Sequence, residues 1–227
     1  MKIIVFILLI VFIGSCDKRE DPINRINKKL KIDSTGVLRK DVPEFYNDST
    51  PYWGYAQMTR NRFGLPSIEN GREVFEIRIL EDLEGGRILL RIRYQGSTWI
   101  AENYIYRPFS TDGQTIDSIV VNYVNLGPPK SGWNKLINKL IDKGILDFKD
   151  ELSFPGPQII IDRTPKIVEI AAKNYYKYYT LQYDKTQIMN ISDDAKSMAR
   201  IIDLIRKEFP EIKSQINKFE KDSNASN

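Results

Sequence analysis

The sequence predicts an α+β domain: an antiparallel sheet of about seven strands with two main helices packed on one face. Three observations predict it. Apolar residues alternate with polar ones in several consecutive runs, the period of a strand. Two later runs change to a period of 3.6, the period of a helix. The chain also holds 12 tyrosines, a residue favoured on half-buried sheet surfaces.

The strands begin after Glu73, where Phe75, Ile77 and Ile79 alternate with Glu76 and Arg78. Glu84-Gly85-Gly86 makes a turn, and Ile88, Leu90 and Ile92 then alternate with Arg91 and Arg93. Gly96-Ser97 turns the chain again into a third strand over 98–106, and a fourth is expected over 118–124, with Asp112-Gly113 between them. Consecutive strands joined by short turns make an antiparallel meander with one face toward a core. Trp133, Leu136, Ile137, Leu140, Ile141 and Ile145 then share one helical face, with Lys135, Lys139 and Lys143 on the other.

After Phe154-Pro155-Gly156-Pro157 come three more strands, over 158–162, 166–172 and 175–183. Lys173-Asn174 closes the last two as a tight hairpin. Ser192 caps a final helix with Asp193 and Asp194 in its first turn, where negative charge meets the positive end of the helix dipole. Its apolar stripe is Ala195, Met198, Ile202, Ile205 and Phe209, and Pro210 is expected to end it.

Composition removes much of enzymology. The chain of 227 residues has no histidine and one cysteine, so it has no Ser-His-Asp or Cys-His machinery, no internal disulfide and no cysteine zinc cluster. No metal and no cofactor is implied. The net charge of +4 is small, with both signs interspersed, which gives no field for nucleic acid.

The N-terminus reads as an address. Lys2 precedes the apolar run Ile3 to Ile13, which is shorter than the about 20 residues a spanning helix needs and fits the h-region of a signal peptide. The run ends in Ile13-Gly14-Ser15-Cys16. This resembles the bacterial lipoprotein lipobox, with Ile13 where the pattern favours Leu. The resemblance implies that Cys16 takes a diacylglycerol thioether, that cleavage follows Ser15, and that the freed amine is acylated. Several acyl chains, at about 0.8 kcal/mol per buried methylene, hold a protein stably to a membrane.

The expected organisation is therefore a signal peptide over 1–15, a lipid-anchored tether over 16–51, a single α+β domain over 52–219 and a disordered tail over 220–227. A tether of about 35 residues would let the domain reach well beyond the headgroups. One local helix is possible inside it: Asp21 as cap, Pro22 in the first turn, then Ile23, Ile26 and Leu30 on a stripe flanked by lysines. It reads either as a basic segment resting on anionic lipid or as a solvated spacer.

Four features invite a chemical reading. Tyr52, Trp53 and Tyr55 are possible ligand-binding residues, able to stack on sugar rings, or else a lid on the core. Glu76, Glu102, Asp162 and Glu169 lie in or beside strands and supply the carboxylates a glycoside hydrolase needs, provided two converge. Gly127-Pro128-Pro129-Lys130-Ser131-Gly132 joins a strand to a helix but lacks the Lys-Ser/Thr of a phosphate loop, and its prolines remove amide donors. Tyr175-Tyr176-Lys177-Tyr178-Tyr179 is either a sticky binding face or a strand covering core on both sides.

A looser pattern, Asp162, then Ile167-Val168-Glu169-Ile170, then Tyr175-Tyr176 and a terminal helix, resembles α+β lipoproteins of Bacteroidota-like bacteria. No activity is carried over from that likeness. The reading is a membrane-anchored lipoprotein of the cell envelope, facing periplasm or cell surface. It acts as a non-catalytic binding or assembly module with an envelope protein or glycan as partner. The alternative is a glycan-binding accessory protein or a carboxylate-based glycoside hydrolase.

Overall fold

The computed structural model describes residues 20–32, 35–42, 60–61, 63–71, 75–83, 86–109, 118–150, 165–182 and 192–224. They form, in order, α1 (Pro22–Leu30), β1 (Arg39–Asp41), β2 (Phe75–Leu83), β3 (Gly86–Gln95), β4 (Thr98–Phe109), β5 (Ser118–Leu126), α2 (Trp133–Asp142), β6 (Pro165–Ala172), β7 (Tyr175–Gln182), α3 (Asp193–Glu208) and α4 (Pro210–Asn224). The class is α+β, as expected, with seven strands in the order β1-β7-β6-β2-β3-β4-β5.

The sheet is mixed rather than purely antiparallel. β1 runs parallel to β7, with Arg39 opposite Tyr175, while every other pair is antiparallel. A parallel pair needs a long crossover, and here the whole of the chain from β2 to β6 provides it. The expected strand over 158–162 lies outside the described residues. β1 carries no apolar alternation: its three residues are Arg, Lys and Asp, all exposed, so periodicity could not find it.

Period-two alternation sends side chains to two sides, and both are buried. Phe75, Ile77 and Ile79 join Ile88, Leu90, Ile92 and Val168 in one apolar cluster. Leu80, Leu89, Tyr104, Tyr106, Ile167 and Tyr176 form a second cluster, which Phe63, Leu65 and Ile68 complete.

There are four described helices, where two main ones were expected, and all four supply side chains to the first cluster. The helix in the supposed tether is part of the folded unit. Asp21 caps it, its Oδ1 accepting from Ile23 N at 2.9 Å, and Pro22 sits in the first turn, where its missing N–H costs nothing. Ile26 is 0% exposed and Leu30 3%. Arg25 donates to Asp142 at 2.6 Å, Lys29 pairs with Asp147, and Arg39 donates to the Leu30 carbonyl. The boundary at 51 is thereby corrected: residues 22–32 and 39–41 pack with the domain. The many charges suggested a solvated spacer, but the stripe of Ile23, Ile26 and Leu30 stabilises more when buried on α2.

Pro210 ends α3 as expected and also opens α4, since proline is well suited to the first helical position. α4 carries the chain to Asn224, so the segment from 220 onward is helical for most of its length. Its Phe219 seats over Gly86. A Cβ at Gly86 would lie 2.4 Å from the Tyr106 carbonyl oxygen and 2.5 Å from the Phe219 ring, so only glycine lets helix and strand approach this closely.

Replacing Ile26 with Ala is expected to lower the unfolding free energy by about 3 kcal/mol, inside the usual ~2–5 kcal/mol for emptying a buried aliphatic site. Urea denaturation of the full chain measures it, and an unchanged midpoint would return α1 to the tether.

Candidate functional site

Of the residues singled out from sequence, Cys16, Tyr52, Trp53, Tyr55 and Asp162 lie outside the described residues. The other three strand carboxylates are brought onto one face of the sheet. Register explains this. Arg78 of β2 is opposite Glu169 of β6 on one side and Arg91 of β3 on the other, and Arg91 is opposite Glu102 of β4. A row Glu169–Arg78–Arg91–Glu102 therefore crosses four strands, on the side of the second cluster.

Glu76 bridges the two central arginines. Its Oε1 accepts from Arg78 Nε and from Arg91 Nε, each at 2.7 Å, and its Oε2 accepts from Arg91 Nη2 at 3.0 Å. Arg91 Nη1 donates to Glu102 at 2.9 Å, and Arg93 Nη2 lies 3.4 Å from the same carboxylate. At the other end Glu169 accepts from the Tyr176 hydroxyl at 2.8 Å and pairs with Arg60 Nη1 at 3.2 Å. Arg60 also pairs with Glu69 at 3.0 Å, and Arg78 donates to the Pro66 carbonyl at 2.9 Å, tying the covering segment to the sheet.

Two of these carboxyls, Glu76 and Glu169, respond in opposite directions. Burial, the largest single influence on Glu76, raises its pKa, but hydrogen bonds and charge from Arg91 and Arg78 together outweigh it and hold the carboxyl below its ordinary range. Burial also dominates at Glu169, and there Arg60, Arg78 and Tyr176 do not offset it, so the carboxyl is pushed up. Opposed shifts are a signature of acid–base pairs. Here, however, Glu76 is 0% exposed and Glu169 3%, and each is held by arginine. A glycoside hydrolase needs both carboxyls open to a sugar and water. Among the described residues, the carboxyls of Glu76 and Glu169 are turned to arginine inside the fold rather than to solvent.

Sequence reasoning placed Arg78, Arg91 and Arg93 on an outward polar face because alternation usually means one wet side. The available signal was the pairing of signs: Glu76 and Arg78 on one strand, Arg91 and Arg93 on the next, Glu102 on the third.

The loop Gly127 to Gly132 is a rigid turn. Ser131 N, an amide that a phosphate would need, donates instead to Glu208 Oε2 at 2.7 Å, and Lys130 N donates to the Glu208 carbonyl. Gly132 holds φ 81°, in the region that favours glycine. The tyrosine strand covers core on both sides: Tyr175 and Tyr179 join the first cluster, Tyr176 and Tyr178 the second. Tyr179 donates to the Ile145 carbonyl at 2.9 Å, and Lys177 donates to Asp41 at 2.8 Å. Among the described residues, no group of three acidic, histidine or cysteine side chains is placed to hold a metal ion.

What faces outward is the far end of the sheet. β5 is the last strand, with Val121 38% and Tyr123 51% exposed. Beside it a cleft of about 390 Å³ opens against α4, lined by Arg107, Asn122, Tyr123, Gln215, Lys218 and Phe219 among others. Arg107 donates to the Phe219 carbonyl at 2.8 Å and covers the Phe219 ring. Among the described residues, no carboxylate lines this cleft. No protein-family model matches the chain, and no curated protein matches it.

Changing Glu76 to Gln is expected to destabilise the fold by about 3–5 kcal/mol, because it leaves two buried guanidiniums short of charge. Glu76 is depressed, so its stabilising share is present at neutral pH and is lost as the pH falls through the lowered folded value. The stability gap between wild type and Glu76→Gln therefore narrows on strong acidification, which denaturant titration at several pH values reads.

Proposed function

We propose that the protein is a lipid-anchored module of the bacterial envelope that binds or assembles with a partner and performs no chemistry. The observation that carries this is the ending of the apolar leader in Ile13-Gly14-Ser15-Cys16, with the sole cysteine of the chain at the lipobox position. The buried, arginine-held carboxylates support the non-catalytic half, since among the described residues Glu76 and Glu169 are not open to a sugar. In this reading the helices make one layer over the sheet, as their shared cluster supports, and the Arg/Glu network lies beneath the opposite cover.

Anchoring at Cys16 now has a different geometric meaning. Only the segment from Cys16 to the Asp21 cap separates the lipid from α1, and five residues span at most about 17 Å. The domain is held close to the headgroups rather than at the end of a long reach. A partner is therefore met at the membrane surface, by whatever the domain leaves exposed there.

Metabolic labelling with a fatty-acid analogue, followed by membrane fractionation, tests the anchor. The wild-type chain is expected to label and to sediment with membranes, and Cys16→Ser to do neither. Unchanged partitioning of Cys16→Ser overturns the assignment.

A further inference from the structure

The two edges of the sheet are treated in opposite ways. At one edge β1 is three residues long and wholly charged, Arg39-Lys40-Asp41, with all three side chains exposed. Short length and charge are standard protections against another strand adding to an edge. At the other edge β5 runs over Ser118–Leu126 as Ser-Ile-Val-Val-Asn-Tyr-Val-Asn-Leu. It has no charge, no proline and no glycine, and among the described residues nothing pairs with its outer side. Val121 and Tyr123 are two of the large apolar side chains the described surface exposes. A long, uncharged, β-branched edge is an attachment surface or an aggregation hazard.

We propose that β5 is a homodimer edge: two copies pair this strand antiparallel about a two-fold axis at Asn122, joining two seven-stranded sheets into one. The inference rests on the assembly half of the function proposed above and does not use the anchor. The strand is self-complementary about that residue. Asn122 meets itself, Val121 meets the second copy's Tyr123, Val120 meets Val124, Ile119 meets Asn125, and Ser118 meets Leu126, so the full strand is paired. The strand carries no charged residue, so no like charges are set opposite each other.

The register also continues the packing inside each subunit. Val121 is opposite Tyr106 on β4, and Tyr123 is opposite Tyr104, with their rings 5.1 Å apart. Tyr104 and Tyr106 belong to the second cluster. Across the axis the row reads Tyr106, Val121, the second copy's Tyr123, the second copy's Tyr104, and the two exposed side chains cover each other. Arg107, the cation nearest the edge on β4, is opposite Val120. It stands roughly 20 Å from its equivalent when strand and residue spacings are added, beyond the screening length at physiological salt.

A disulfide trap tests the axis. Asn122 is exposed, and an antiparallel partner brings the two positions within disulfide range only if they sit on the axis. Asn125 is also exposed but lies roughly 20 Å from its equivalent in this register. The full chain is expressed in the envelope, oxidised and run without reductant. Asn122→Cys is expected to give a reducible dimer, and Asn125→Cys and the parent chain none. Sedimentation of the detergent-solubilised full chain is expected to show a dimer, and Val121→Lys with Tyr123→Lys to give a monomer of unchanged circular dichroism. A monomeric parent, or equal trapping at 122 and 125, overturns the proposal. A reducible dimer of the parent chain would instead report a free Cys16 thiol, which sinks the anchor while sedimentation of the double-lysine chain still decides the edge.

Discussion

Glu76 lies between Arg78 of its own strand and Arg91 of the next, and both arginines are buried. Register sets the two guanidiniums directly opposite each other, an arrangement that is repulsive alone. The sheet can bury this face only if an anion stands between them. Glu76 does so with both oxygens, and Glu169 and Glu102 close the row at each end. Without the bridge, the cover over this face, which includes Arg60, Phe63, Leu65 and Ile68, would lie on two arginines short of one negative charge. The Arg78 bond to the Pro66 carbonyl and the Arg60 bonds to Glu69 and Glu169 depend on the same row staying in place.

That dependence accounts for what was legible in the sequence. β2 through β7 were readable from strand-like runs bounded by turns, and on the first face Ile77, Ile79, Leu90 and Val168 are conventional core. α2 and α3 were readable from their stripes and from Ser192. The second face was not, because its residues are charged, and charge reads as solvent. The error is physical: periodicity detects hydrophobic burial and is blind to burial by mutual neutralisation. Glu76, Glu102 and Glu169 were found as types without their partners, and the arginines that decide their chemistry were set aside as surface.

The same bias explains β1 and α4, and it explains why α1, readable as a helix from Asp21, Pro22 and its stripe, reads as tether rather than domain. Each is short of apolar residues, and each is held by a few strong contacts: Ile26 and Leu30 for α1, the Lys177–Asp41 pair and the β7 ladder for β1, Phe219 on Gly86 for α4. Pro210 shows how one residue carries two meanings. Its ring stops the helix before it and starts the one after it, and sequence alone shows only the stop.

The buried row and the open edge are connected. Glu102, the last member of the row, accepts from the Tyr123 hydroxyl at 3.3 Å. The chain Glu76–Arg91–Glu102–Tyr123 therefore runs from the centre of the sheet to its final strand. A strand at an edge loses half its ladder and frays more readily than one inside. Here the exposed tyrosine is held by a carboxylate that is itself held by Arg91, which ties this point of β5 to the row. Ordering an edge in advance lowers the entropy that pairing must overcome. The charge network that closes one face of the domain thus reaches, among the described residues, the strand whose outer side has no partner.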